Sequence, residues 1–139
     1  MPVALPIMTA IKLLAASLSL ALIGAVTARA DSAYDACLKT ANTNADFSDC
    51  GVAYLKRARA ALNAAWKHTY GLADLQTAED LLAEQLAWIA FKDKSCTFYT
   101  NRDEHGREGQ VLHFYMCRGR VIEDRTKQLV DIGKDLAPD

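Results

Sequence analysis

Proline is nearly missing from the body of this 139-residue chain. Pro2 and Pro6 lie at its start and Pro138 next to its end, so nothing between them removes a backbone donor or blocks a helical turn. Strand patterns are equally scarce. No β-branched or aromatic run alternates with polar residues over a useful length, which argues against a sheet. A basic excess is missing as well. With 16 Lys and Arg against 17 Asp and Glu, the chain lacks the footprint that nucleic-acid binding calls for.

Catalytic signatures are also lacking. No serine stands in a Gly-x-Ser-x-Gly turn, and Gly106 and Gly109 do not make a phosphate loop. Asp103, Glu104 and Glu108 are close in sequence, but a small helical domain leaves little room for the cleft across which glycosidases hold two carboxyls. Cys96, His105, His113 and Cys117 are separated by eight, seven and three residues, unlike the short paired spacings of zinc sites. No enzyme, metal site or cofactor is therefore expected. His68 reads as an exposed or half-buried residue on a basic helix face, and Lys56-Arg57-Ala58-Arg59 as a solvated face.

What is present begins with a leader. Leu13 to Val26 is a run of fourteen uncharged residues, preceded by Lys12 and followed by Ala28-Arg29-Ala30. That is the form of a secretory signal peptide cut between Ala30 and Asp31. The run is shorter than the roughly 20 apolar residues of a membrane span. Either Met1 or Met8 could be the start, the latter giving the more usual leader. Residues 31–139 are then one domain, periplasmic or secreted, with no membrane span. The leader takes two of the sixteen basic residues, Lys12 and Arg29, and no acidic one, leaving 14 against 17 and a net charge of −3.

All four cysteines, Cys37, Cys50, Cys96 and Cys117, fall after the leader. An even count in a short exported chain reads as a disulfide framework. Of the three connectivities, the pairs nearest in sequence, 37–50 and 96–117, are expected. Each would contribute roughly 3 kcal/mol by restricting the unfolded chain.

The remaining pattern is helical. A short helix runs from Ser32 to about Thr40, and a turn follows at "ANTNADFSD". Ser48 or Asp49 caps a second helix reaching about Tyr70, with Leu55, Ala58, Leu62, Ala65 and Trp66 along one face and Gly71 as its stop. Asp74 or Thr77 opens a third helix that ends near Cys96. A charged loop, 97–110, leads to a fourth helix from about Val111 to Ile132, ended by Gly133, with Glu123 and Lys127 as an ion pair. The expected fold is all-α: a small disulfide-stapled antiparallel bundle of one short and three longer helices.

On the third helix the stretch "QLAWIAFKDKSC" places Trp88, Ile89 and Phe91 toward the other helices, with Lys92 along the seam and Lys94 in solvent. Gln85 and Asp93 are read as polar groups bonding neighbouring helices or a helix end. Gln85, Ala87-Trp88, Phe91, Lys92, Asp93 and Cys96 resemble the motif of a family of small exported helical domains, that of the N-terminal domain of the LprI-type lysozyme inhibitor. Leu62-Asn63 with Trp66 resembles its "L-N-x-x-Y". Cys117, Arg125-Thr126 and Leu129 resemble its closing "C…R-T-x-x-L", and Cys37 and Cys50 match its leading pair. The resemblance covers about 37 to 130. Two positions depart from it: Glu108-Gly109-Gln110 stands where a Gly-Gly-Ser/Thr element is frequent, and Ile122 where Thr is common.

The resemblance implies a protein partner, lysozyme or a related wall hydrolase, bound and inhibited. The alternative is a non-inhibitory envelope domain that docks another protein. Arg102, His105 and Arg107, in the loop closed by Cys96 and Cys117, are the expected partner-binding residues. A clamped loop loses less entropy on binding than a free one.

Overall fold

The computed structural model describes residues 31–101, 103 and 106–138. The expected leader and its cut site lie outside the described residues. Five helices follow in order: α1 Ser32–Leu38, α2 Asn44–Leu72, α3 Leu75–Lys94, α4 Thr97–Thr100 and α5 Gly106–Leu136. No strand occurs among the described residues. The disulfides are Cys37–Cys50 and Cys96–Cys117, as expected. The stapled all-α bundle is thus the observed fold, with one extra helical turn, α4, before its last helix.

The start of α2 and both ends of α5 differ from expectation, while α3 takes one of its two expected caps. Helix α2 starts at Asn44 because Thr43 and Asp46 form a reciprocal capping box. The Thr43 hydroxyl accepts from the Asp46 amide at 3.1 Å, and the Asp46 carboxylate accepts from the Thr43 amide at 2.9 Å. Ser48, one of the expected caps, instead shares a hydrogen bond with the Tyr115 hydroxyl at 3.2 Å. At the start of α3, Asp74 is the cap and Thr77 supplies the amide it accepts, at 2.8 Å. Helix α5 starts at Gly106, five residues before the expected Val111, and continues through Gly133 to Leu136.

Consecutive long helices run antiparallel, so α2 and α5 return parallel to each other. They make the closest helix pair, and glycines set the approach. The Tyr115 ring of α5 lies over Gly51 of α2, and the Tyr54 ring of α2 lies over Gly119 of α5. A Cβ on Gly51 would sit 2.2 Å from the Tyr115 ring, and one on Gly119 would sit 2.0 Å from the Tyr54 ring. Only a residue without a side chain fits either place. Farther along, the buried Thr69 hydroxyl donates to the Leu129 carbonyl at 2.7 Å, and Gly133 lies against Thr69. Gly133 is therefore a contact point inside a helix rather than a stop.

Leu55, Ala58, Leu62, Leu81, Ile122 and Leu129 form the main core, with Trp66, Trp88 and Ile132 packed on it. A smaller cluster joins Tyr34, Cys50 and Tyr54 under α1, and the Tyr34 and Tyr54 rings stack at 4.7 Å. Helix α3 is joined to α5 by a buried arginine. Arg125 Nε donates to Gln85 Oε1 at 2.9 Å, and Nη1 donates to the Glu84 carboxylate and to Gln128 Oε1. Gln85 thus bonds a neighbouring helix, as expected. Trp88 is half-buried and Lys92 tucks its stem inward, but Ile89 and Phe91 are exposed, against expectation. Leu81, Gln85 and Trp88 turn to the core, and Gln85 and Glu84 bond Arg125 of α5, so the inward side of α3 does not include Ile89 or Phe91.

Gly119→Ala is expected to destabilise the fold by about 2 kcal/mol through overpacking on Tyr54. Gly71→Ala, where an added Cβ meets nothing within 4 Å, is expected to stabilise it by about 0.5–1 kcal/mol. Denaturant unfolding of both variants checks the pair.

Candidate functional site

Helix α3 ends in a turn that the backbone does not favour. Cys96 adopts φ 68°, the left-handed region uncommon for a residue with a side chain. Two contacts hold it there. The disulfide to Cys117 fixes its side chain on α5. Arg118, the next residue on α5, donates from Nη2 to the carbonyls of Ser95 at 2.6 Å and Asp93 at 3.3 Å. The same guanidinium lies 5.1 Å from the centre of the Phe114 ring. Arg118 therefore caps α3 from a different helix, and burial lowers its pKa. Sequence reading passed over it; its position beside Cys117 was the available signal.

The segment beyond this base forms one end of the molecule. Helix α4 presents Phe98, half of it in water, with its ring 4.2 Å from that of Tyr99. Tyr99 stacks on His113 of α5 at 5.4 Å. Arg107, expected in a loop, sits exposed in the first turn of α5. That turn begins at Gly106, whose φ of +59° suits glycine. Arg102 and His105 lie outside the described residues. The disulfide consumes both cysteines of the zinc set considered above. Of the remaining motif residues, Leu62 is buried in the core, Asn63 is exposed, Trp66 stacks on Tyr70 at 5.0 Å, and Asp93 pairs with Lys92 on its own helix.

A cleft of about 310 Å³ opens between α1 and the first half of α5. Tyr34, Tyr54, Leu112 and Met116 give it an apolar floor, and Asp31, Asp35, Glu123 and Arg120 line it with charge. His113 joins the cleft to the α4 end. Asp31 caps α1 by accepting from the Tyr34 amide at 2.9 Å, and binds Arg57 through two contacts of 2.7 and 3.0 Å. The Arg57 hydrogen bond holds the Asp31 carboxyl below its ordinary pKa, with burial partly opposing it. Glu123 behaves oppositely. Burial raises its pKa, the Tyr54 hydroxyl partly offsets the rise, and the charges of Asp31 and Asp124 add to it. Glu123 thus turns to Tyr54 rather than to the expected partner Lys127. Aromatic rings beside carboxylates can receive a cationic side chain. Sequence reading did not find this cleft, because its walls come from three separate helices.

Geometrically this is a small disulfide-stapled helical domain with a tethered end and an adjoining acidic cleft. The chain belongs to the family described as "Lysozyme inhibitor LprI", whose pattern it matches over residues 35–129. No curated protein and no solved structure matches it. No described helix is long and apolar enough to cross a membrane.

Two outcomes follow from the site's electrostatics. Because the folded-state pKa of Glu123 is raised, its contribution to stability is full below its unfolded pKa and is lost as pH rises through the folded value. Glu123→Gln should therefore raise the unfolding temperature at neutral pH, with the gain vanishing below about pH 4. Thermal melts at both pH values check the sign. Arg118→Ala should destabilise the domain by roughly 2–3 kcal/mol, since it strips charged donors from the end of α3. Denaturant unfolding would read this, and hydrogen exchange should show the extra opening concentrated at residues 93–100.

Proposed function

We propose that this protein is an exported binding protein that inhibits lysozyme or a related cell-wall hydrolase. The observation that carries the reading is the family match over residues 35–129. The geometry supports a mechanism. Lysozyme works through two carboxyl groups across a sugar-binding cleft. The tethered end offers Arg107, and the same short segment supplies Arg102 and His105. Basic side chains in a segment closed at its base by the Cys96–Cys117 disulfide would complement an acidic cleft by charge. Phe98 adds apolar contact area at the same end. No bond is made or broken; inhibition is by occupancy.

The test is lysis of a cell-wall suspension by lysozymes of several types, with the purified protein added at micromolar concentration. Inhibition is expected. Replacing Arg102, His105 and Arg107 together with Ala is expected to weaken it by roughly tenfold or more, about 1.4 kcal/mol of lost binding. Inhibition that survives the triple substitution would leave the function standing and move the binding surface elsewhere. No inhibition of any lysozyme would overturn the function and leave a docking domain for a different envelope protein.

A further inference from the structure

Helix α3 has a second apolar face that no described residue covers. Its inner side carries Leu81, Gln85 and Trp88. Its outer side carries Leu75, Leu82, Leu86 and Ile89, which are 89, 42, 59 and 38% exposed. Their spacing of seven, four and three residues is that of alternating seam positions in a heptad, the pattern with which one helix meets a single partner helix. Ala83 and Ala90 flank this row, exposed and small, and leave room for a second backbone to approach. Single exposed leucines are ordinary; here Leu82, Leu86 and Ile89 adjoin one another, with Leu75 beyond Glu79 on the same face.

We propose that a second copy of this chain covers this face, with the two α3 helices packed antiparallel in a reversible dimer. Charge selects the orientation. The first half of α3 with its cap carries Asp74, Glu79 and Asp80, Glu84 being held by Arg125, whereas its last turn carries Lys94 and the Lys92–Asp93 pair. A parallel pair would set acid against acid. An antiparallel pair brings each acidic start beside the other copy's basic end and opposes the helix dipoles. The row leaves on the order of 400 Å² of apolar surface per copy, the size of the largest patch on a typical monomer. Two such faces with their flanking alanines reach about 1,000 Å², the lower limit for a specific pair. The dimer is accordingly weak and concentration-dependent. This surface is separate from the end assigned to the partner hydrolase, and the proposal does not rest on that assignment.

Analytical ultracentrifugation of the purified protein, from low to high micromolar concentration, tests it. The expected result is a monomer–dimer equilibrium. Leu86→Lys should stay monomeric throughout, with helical content and melting temperature unchanged. Phe91→Lys, at a residue 61% exposed on the far side of α3, should associate as the unmodified chain does. Carbodiimide cross-linking of mixed isotopically light and heavy copies should join Lys92 or Lys94 of one copy to Asp74 or Glu79 of the other. A monomer at every concentration, association that survives Leu86→Lys, or equal loss in Phe91→Lys would overturn the dimer. Cross-links confined to Lys94 with Asp93 between copies would overturn its antiparallel form.

Discussion

The close approach of α2 and α5 is the constraint on which the rest of the domain depends. Two tyrosines each cover a glycine on the opposite helix, so the pair interlocks through Tyr54 on Gly119 and Tyr115 on Gly51. Neither ring could lie there if its partner carried a Cβ. This contact fixes the register of the two longest helices, and the buried Thr69–Leu129 hydrogen bond repeats that register farther along. Ile122 and Leu129 are then fully enclosed. Once the pair is set, α1 has a ring to stack on, and α3 has a groove and an arginine to meet.

The same register builds the end proposed to meet the partner. It places Cys117 and Arg118 on the face of α5 toward the end of α3. From there one closes the disulfide and the other satisfies two carbonyls. A left-handed Cys96 is disfavoured by itself and persists because both contacts determine it. The two contacts fix the base from which α4 leaves α3. The cleft under α1 has the same origin, since Tyr54 reaches Tyr34 and Glu123 only in the register that Gly119 permits.

Much of this was legible from residue order alone. Helix existence followed from alanine-rich, proline-free segments, and the disulfide pairs from spacing in an exported-looking chain. Gln85 and Arg125 were singled out by family resemblance, forty residues apart, and they meet in a buried hydrogen bond. Errors came where one residue type serves two purposes. Gly133 looked like a helix stop because glycine ends helices, yet it is a contact point for Thr69. Ile89 and Phe91 looked inward because large apolar residues are usually buried, but only one side of α3 meets the domain.

The sequence by itself determined the class: a small, exported-looking, four-cysteine helical domain of a lysozyme-inhibitor type. These are local properties, carried by propensity, periodicity, cysteine spacing and a short motif. Only the tertiary structure decided that α2 and α5 lie parallel at glycine distance, that Arg118 caps a helix from another helix, and that an acidic cleft adjoins the tethered end. Each of these joins residues more than twenty positions apart. Such contacts depend on helix register, and register is set by which side chains fit together in three dimensions rather than by any single segment.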